Sequence, residues 1–234
     1  MILEFIIGCF VLKDLAKEID KWFSPELIEE TKKMQKTILA SGGVTRRVYA
    51  PMINRQKGLI SKWDALFQKH APAARLDWRL LAAQCYQESC FDPQAHSWAG
   101  ACGLMQLMPR TAANYGCPDS LMQDPEESVK AGTALLADLE NRLRKKNIEH
   151  DLVYFTLAGF HAGLGHIYDA ITMADSLGYD PTLWHDNVEV CLQLKADPDY
   201  YNLPYVRLGR FNGKVTSAYI REVLDYHVAF KTAK

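Results

Sequence analysis

The sequence lacks the features that mark several large classes of protein. It has no excess of either charge, since 27 Lys and Arg stand against 28 Asp and Glu, and a chain this close to neutral offers no basic surface for nucleic acid or an anionic membrane. It contains no internal repeat and no low-complexity tract. With 48% hydrophobic and 24% charged residues it has the composition of a globular protein. We therefore expect one or two folded domains and no nucleic-acid partner.

Patterns that bind metal are also missing. The six cysteines lack the paired spacing of a zinc site. His161 and His166 do not form the helical pair of a zinc protease, because no Glu stands between them. The sequence therefore predicts no metal and no cofactor. The oxidation state of Cys90, Cys102 and Cys117 stays open, since these three could form a disulfide in an oxidising compartment.

The most informative feature that is present is a carboxylate at the end of an apolar helix. Asp77 is placed to cap a helix that is apolar on nearly every face. This helix should end soon after Glu88, because Asp92 precedes Pro93 and is biased away from helical geometry. Burial and the negative end of the helix dipole both raise the pKa of a carboxyl group placed there. Glu88 is therefore a candidate general acid at neutral pH.

The rest of the chain predicts a mostly α-helical fold, because no run alternates with period two for long enough to demand a central sheet. Residues 1–57 are predicted to form a short strand and helix followed by a linker, and residues 58–234 a compact domain. Further helices are predicted at about 109–115, from Asp124 to Asn147, from Asp151 into the region 159–165, near 182–194 and over 216–231.

Three segments carry a resemblance to a known family. The segment from Glu88 to Ala112, ESCFDPQAHSWAGACGLMQLMPRTA, resembles the signature of the soluble lytic transglycosylase (SLT) family of peptidoglycan-cleaving enzymes. YFTLAGFHAGLGHIYDA and SAYIREVLDYH, which begin at Tyr154 and Ser217, resemble two later motifs of that family. The resemblance covers about residues 58–227, and within the family it is strongest to the membrane-bound lytic transglycosylase F branch.

The resemblance implies a lysozyme-like helical domain with a catalytic cleft, as in goose-type lysozyme. It implies cleavage of the β-1,4 bond between N-acetylmuramic acid and N-acetylglucosamine, leaving 1,6-anhydro ends. Glu88 would be the single acid and base, because the N-acetyl group of the substrate replaces a second protein carboxylate. Asp92 is the nearest second acid, but an Asp before Pro more often forms a turn.

Other positions of the signature match residues that line the substrate cleft in the family. The substrate-binding residues that the resemblance implies are Ser97, Gln106, Met108, Phe160, His161 and Tyr219. Leu104 and Met105 are expected in the core. Trp98, between Ser97 and a glycine, is the aromatic residue expected to be exposed beside the cleft.

The chain departs from the family where Phe160 and His161 replace a Tyr-Asn pair. The phenol expected near the catalytic glutamate is then absent, which puts full activity in question. Two interpretations of His161 remain open: it replaces the phenol as a hydrogen-bond donor, or it is a packing or surface histidine. Two alternative functions also remain open, a hydrolytic muramidase on the same fold and a non-catalytic peptidoglycan-binding module.

The first residues favour a domain remnant over a targeting signal. The apolar run near Met1 is interrupted by Glu4, is too short to span a bilayer and lacks a basic region before it. The residues before Cys9 resemble a lipoprotein cleavage box, but the segments expected before such a box are missing or too short. We favour the end of a solute-binding-like domain, as in the F branch. The resemblance implies a monomer in the periplasm or on the periplasmic face of the outer membrane, with peripheral association with that membrane.

Overall fold

The structure is a computed structural model, and it describes residues 52–232. The chain divides into two compact units, Met1–Arg47 and Val48–Lys234, and the described residues belong to the second. The strand, helix and lipoprotein-like box predicted near the N-terminus lie outside the described residues. The predicted domain boundary near residue 57 stays a prediction.

The described region is mostly helical, as the sequence predicts. The helices are α1 (Asp64–His70), α2 (Trp78–Ser89), α3 (Pro109–Asn114), α4 (Pro125–Arg144), α5 (Leu152–Ala162), α6 (Leu164–Leu177), α7 (Glu189–Leu194), α8 (Pro198–Tyr201) and α9 (Gly213–Lys231), with 3₁₀ turns at Ala71–Ala74 and Asp119–Leu121 and a π-type turn at Trp184–Val188. Between residues 52 and 232 the backbone forms isolated β-bridges and no longer strand. No helix in this region is long and apolar enough to cross a membrane.

Capping residues begin the helices where the sequence predicts them. The Asp77 side chain accepts a hydrogen bond from the backbone N–H of Arg79 (2.9 Å) at the start of α2. The Asp124 side chain accepts from the N–H groups of Glu126 and Glu127 (3.0 Å each) at the start of α4. Each bond satisfies a backbone donor that the first helical turn leaves free.

The catalytic candidate lies on a helix at the centre of the core. Leu81, Ala82, Ala83 and Cys85 of α2 are completely buried, which confirms the prediction that this helix is apolar and enclosed. Helix α9 packs along α2 in the antiparallel direction, because its beginning contacts the end of α2 and its end contacts the residue that caps α2. Helix α5 packs against α9 as well. The end of α2 therefore contacts α9, and α9 is contacted in turn by α5.

A buried ion pair holds the loop that leads into α9. The Lys195 ammonium, completely buried, donates to the Asp169 carboxylate at 2.6 Å. Asp169 also accepts from the N–H groups of Arg207 (3.0 Å) and Leu208 (2.9 Å). Burial opposes ionisation, but these donors keep the pKa of Asp169 below its ordinary value. The pair thus fixes the path of the chain before α9.

Three details of the helices differ from the sequence prediction. Helix α4 ends at Arg144, and Asn147 follows in a left-handed conformation with φ 61°. The predicted helix over 182–194 is kinked, because Asp186 has φ 58° inside the π-type turn. Asp151 does precede α5, but its side chain accepts from the N–H of Trp184 (2.8 Å) instead of capping the helix. At Asp151, a long-range hydrogen bond from Trp184 thus takes the place of a local cap.

Candidate active site

Glu88 lies in the last turn of α2, where the backbone leaves the helix abruptly. Cys90 and Phe91 follow with φ of 52° and 65°, two consecutive residues in the left-handed region. The N–H of Cys90 closes the last turn by donating to the carbonyl of Tyr86 (2.8 Å). Only a few per cent of non-glycine residues adopt this conformation, and it commonly ends helices. The chain therefore turns away immediately after the candidate catalytic residue.

The Glu88 carboxyl is in an environment that favours its protonated form. The residue is half-buried. Burial raises the pKa of Glu88 to about 7, although a hydrogen bond from Tyr219 acts in the opposite direction. A carboxyl group with this pKa is about half protonated at neutral pH. Glu88 can therefore donate a proton and take one back, which a general acid and base must do.

Tyr219 of α9 is the direct partner of Glu88. Its hydroxyl donates to Glu88 Oε1 at 2.6 Å across 131 residues of sequence. The side chain is buried, and burial together with the nearby carboxylate raises the pKa of Tyr219 well above its ordinary value. The phenol therefore stays a neutral donor. Because it occupies Oε1, the Oε2 atom is the one that can carry an acid proton toward a substrate.

The loop after α2 is held rigidly against the end of that helix. Isolated bridges join His96 to Cys102 and Cys102 to Leu107. The Ser89 hydroxyl donates to the carbonyl of Leu104 (2.9 Å). Leu104 is completely buried, as is Met105, and this confirms that both belong to the core.

One glycine of this loop is required by its surroundings. Gly103 has φ +76°, and a Cβ atom built on it would lie 2.0 Å from the carbonyl oxygen of Met122. Any side chain here would therefore clash with backbone. Close packing at Gly103 keeps the loop on the protein core.

Ser97 and Gln106 stabilise the loop through their side chains. The Ser97 hydroxyl accepts from the N–H of Ala101 (2.9 Å). The Gln106 amide donates to the carbonyls of Ala95 and Gly103 (3.0 Å each), and its own φ is 44°. These bonds leave the Ser97 hydroxyl hydrogen and the Gln106 amide oxygen available. Contact of either residue with a sugar stays a prediction.

Met108 and Phe160 lie in different surroundings from the Glu88 pair. Met108 precedes α3 and is 44% exposed. Phe160 lines a cavity of about 260 Å³ together with Tyr115 and Arg142. This cavity is on the side of α5 that faces α3 and α4. A role for Met108 or Phe160 in substrate binding stays a prediction.

His161 lies next to the Glu88 pair and contacts Tyr219. Its ring lies 4.5 Å from the Tyr219 ring, and its Nδ1 is 3.1 Å from the Thr216 hydroxyl. Although the residue is exposed, partial enclosure of the ring lowers the pKa of His161, so the imidazole is neutral at pH 7. His161 therefore contacts the residue that holds Glu88 and keeps an edge toward solvent.

Sequence reasoning missed two residues around this site. Thr216 and Glu222 lie three residues before and after Tyr219 and share its side of α9. Thr216 contacts His161, and Glu222 accepts from the Gln87 amide at 2.8 Å. The three-residue spacing around Tyr219 is the signal that could have identified them.

The thiols near the site are not paired with one another. Cys90, Cys102 and Cys117 are free, as are Cys85 and Cys191. In the described residues no disulfide joins these three cysteines. Among residues 52–232, no group of three or more His, Cys, Asp or Glu side chains is arranged to hold a metal ion.

Comparison with known proteins identifies relatives by sequence. Residues 65–181 match the family described as the transglycosylase SLT domain. The chain is 37% identical over 177 residues to membrane-bound lytic murein transglycosylase F of Maricaulis maris, covering 76% of this chain and 38% of that protein. It is 36% identical over 168 residues to the protein of the same name from Vibrio campbellii, covering 72% of this chain and 30% of that protein. The chain thus spans about a third of the length of these curated relatives.

Solved structures show the same fold. The 70 kDa soluble lytic transglycosylase SLT70 of Escherichia coli matches with a TM-score of 0.51 and 21% identity, over 72% of this chain and 24% of that one. An inactive mutant of the lytic transglycosylase Slt from Pseudomonas aeruginosa matches with a TM-score of 0.50 and 20% identity, over 82% of this chain and 26% of that one. The described domain therefore has the lysozyme-like helical fold, and with residues 65–181 matched by the family, the chain belongs to the transglycosylase SLT domain family.

Proposed function

We propose that this protein is a lytic transglycosylase that cleaves the β-1,4 bond between N-acetylmuramic acid and N-acetylglucosamine in peptidoglycan. The observation that carries the proposal is the Glu88 carboxyl, half-buried at the end of α2, with a pKa raised to about 7 and one oxygen held by Tyr219. Membership of the SLT family and the names of the curated relatives support the same activity. No metal or cofactor enters the proposed reaction.

In the first step Glu88 acts as the acid. The proton on Oε2 passes to the bridging oxygen as the bond between that oxygen and the muramoyl C1 breaks, and N-acetylglucosamine leaves with a free hydroxyl at C4. The carbonyl oxygen of the muramoyl N-acetyl group bonds to C1 and stabilises the positive charge that develops there. As Glu88 becomes a carboxylate, the hydrogen bond from Tyr219 strengthens, because it then joins a donor to a charged acceptor.

In the second step Glu88 acts as the base. Its carboxylate takes the proton of the muramoyl C6 hydroxyl while that oxygen attacks C1 and displaces the acetamido oxygen. A 1,6-anhydro ring forms, Glu88 is protonated again, and no water is consumed. The return of the proton requires a pKa close to the working pH, which the enclosed position of Glu88 supplies.

The contacts of nearby acids support a mechanism with one protein carboxylate. Asp92 accepts from the N–H of Gln94 (2.9 Å) and forms a turn. Glu222 accepts from the Gln87 amide. Each of these acids is therefore hydrogen-bonded to another protein group, which agrees with the substrate acting as the second catalytic group.

The proposed substrate-binding residues have distinct parts. His161 would present its solvent-facing edge to an acetamido group and so take over, in part, from the Tyr-Asn pair of the family. The Ser97 hydroxyl and the Gln106 amide oxygen would bind polar substituents of the sugars. Met108 and Phe160 would supply apolar surface along the strand. These roles rest on the family resemblance and on the groups that remain available in the loop and on α5.

The products of digestion test the proposal. Purified sacculi are incubated with the protein, and the released muropeptides are identified by mass spectrometry. We expect 1,6-anhydro ends, which lie 18 mass units below the hydrolysis product because no water is added. Reducing ends would instead identify a hydrolytic muramidase, and the absence of released material would identify a binding module.

A matched pair of variants ties the activity to Glu88. Glu88→Gln removes the acid proton, whereas Glu149→Gln makes the same chemical change at an exposed position. We expect the first to lower the rate of release by about 10²–10⁴-fold and the second to leave it unchanged. Retention of release by Glu88→Gln would overturn the assignment of the catalytic residue.

We also propose that the protein works as a monomer in the periplasm or on the periplasmic face of the outer membrane, with peripheral association with that membrane. The support is the proposed substrate and the membrane-bound relatives. Fractionation of cells that produce the full chain tests the location, and light scattering of the purified chain tests the monomer.

A further inference from the structure

We propose that Trp98 is a stacking platform for a sugar ring of the glycan strand, and this inference rests on the proposed function. The indole of Trp98 is completely exposed, with a relative accessibility of 100%. By contrast, Trp184 is 1% exposed, and Trp63 and Trp78 pack against the core. A large apolar ring held entirely in water is a favourable surface for a partner that covers it.

The indole is carried on a stiff turn. The N–H of Ser97 donates to the carbonyl of Ala101 (2.9 Å), and the N–H of Gly100 donates to the carbonyl of Ser97 (3.0 Å). The Ser97 hydroxyl accepts from the N–H of Ala101, which closes the turn a third time. A ligand would therefore meet a backbone that is already ordered, and ordering it would cost little binding energy.

The same turn is tied to the end of the catalytic helix. The N–H of Gly103 donates to the carbonyl of Ala95 (3.0 Å), and the Gln106 amide holds the same carbonyl. The loop is fastened in turn to Ser89, the residue after Glu88, through the carbonyl of Leu104. Trp98 is therefore carried on the same hydrogen-bonded loop that follows Glu88.

The surroundings of Trp98 favour a sugar over a membrane. Its neighbours on the turn are small, Ala99 and Gly100, and nothing lies within 4 Å of a Cβ built on Gly100, so a flat ring has room beside it. No Lys or Arg lies between Arg79 and Arg110, whereas binding to anionic lipid requires cations. A pyranose ring has an apolar face of C–H groups and needs no charge. The ligand that fits is an uncharged amino-sugar unit of the strand.

Binding by an inactive protein tests this inference separately from catalysis. Purified glycan strands are titrated into the Glu88→Gln variant and into the same variant carrying Trp98→Ala, Trp98→Phe or Tyr179→Ala. Tyr179, two residues after α6, is 38% exposed and serves as the matched exposed aromatic. Covering one face of the indole corresponds to about a tenfold gain in affinity. We expect Trp98→Ala to bind about tenfold more weakly, Trp98→Phe about threefold more weakly, and Tyr179→Ala unchanged.

A spectroscopic readout identifies the indole itself. Strand binding should move the tryptophan emission of Glu88→Gln to shorter wavelength, and Trp98→Phe should lose this shift while it still binds. Equal binding by the Trp98→Ala protein, or no binding by Glu88→Gln, would overturn the inference. The inference would also be overturned if Trp98→Ala lost binding to phosphatidylglycerol vesicles but bound glycan strands as before. If wild type releases no muropeptides but Trp98→Ala weakens strand binding, the proposed activity is wrong and the stacking role of Trp98 is supported.

Discussion

A carboxyl group lies at each end of the contact between α2 and α9, and the pKa values of these two groups are shifted in opposite directions. At the end of α2, Glu88 has a single side-chain partner, Tyr219, and burial raises its pKa to about 7. At the start of α2, Asp77 caps the helix and meets His227 at 3.2 Å and Lys231 at 3.8 Å. Burial opposes ionisation there as well, but backbone and cationic partners keep the pKa of Asp77 below its ordinary value.

The two carboxyl groups differ in their surroundings, because Glu88 is half-buried with one phenolic donor whereas Asp77 has backbone and side-chain donors at the start of a helix. The start of a helix offers free N–H groups and the positive end of the dipole, and the end offers neither. Asp77 therefore stabilises the fold as an anion, whereas Glu88 is poised to exchange a proton.

Exchange of each acid for its amide gives the largest difference. Glu88→Gln should lower the rate of muropeptide release by about 10²–10⁴-fold, because general acid and base catalysis is lost. Asp77→Asn should leave the rate nearly unchanged, because asparagine also caps helices. The measurement is release from labelled sacculi at fixed enzyme concentration. A similar loss of rate in both variants would remove the distinction between the two ends.

Glu88 and Asp77 should contribute to the pH dependence of stability in opposite directions. The folded-state pKa of Glu88 is raised, so its contribution to stability is fully present below its unfolded value near 4.5 and is lost as pH rises through about 7. The shift corresponds to about 3 kcal/mol. Urea unfolding of wild type and Glu88→Gln between pH 4.5 and 8 measures it. As pH rises, the unfolding free energy of wild type should fall relative to that of Glu88→Gln.

The Asp77 carboxyl acts in the other direction on the same curve. Its folded-state pKa is lowered, so its contribution is present at neutral pH and is lost as pH falls through the acid range. The unfolding free energies of wild type and Asp77→Asn should therefore differ by a constant amount above about pH 4 and converge as pH falls below it. Parallel curves across the whole range for both variants would show that neither carboxyl is perturbed.

Removal of the Tyr219 hydroxyl tests the partner of Glu88. Tyr219→Phe deletes the donor that favours the ionised form, so the pKa of Glu88 should rise further. The falling, basic limb of the pH–rate profile should move up by roughly one unit, and the rate should drop about tenfold. Tyr226→Phe, on the same helix, is the control. An unchanged limb would show that the phenol does not act on the acid.

Loss of the helix cap gives the smallest effect. Asp77→Ala removes the hydrogen bond to the N–H of Arg79 and should lower the free energy of unfolding by about 1 kcal/mol. Asp77→Ser restores the cap but not the contacts with His227 and Lys231. It should recover most of the loss, because Lys231 is exposed and burial lowers the pKa of His227, which leaves that ring mostly uncharged at neutral pH. Thermal unfolding of the three proteins measures the order. If Asp77→Ser recovers none of the lost stability, the effect comes from the contacts with His227 and Lys231 and not from the cap.

Local signals predicted much of the helical framework. Asp77 and Asp124 cap the helices that the sequence placed after them, and α2 is buried as its apolar pattern indicates. The position of Glu88 in the last turn of α2 follows from the same local reasoning. Such signals are readable because a cap and its backbone partner lie only a few residues apart.

Contacts between distant segments were harder to predict. The signature placed Tyr219 near the cleft, but its bond to Glu88 depends on how α9 lies along α2. Phe160 and His161 are adjacent in sequence, yet one lines a cavity beside α3 and α4 while the other contacts α9. The kink at Asp186 also has no clear counterpart in the residue pattern.

Local sequence signals were enough to predict where α2 begins and ends, that it is buried, and that an acidic residue lies in its last turn. The tertiary structure alone decided that this acid has one phenolic partner, that His161 contacts the partner and not a distant surface, and that the nearby thiols remain free. The physical reason is the range of the interactions. Helix caps depend on groups within one turn, whereas the polarity around Glu88 depends on the angle and register at which separate helices pack.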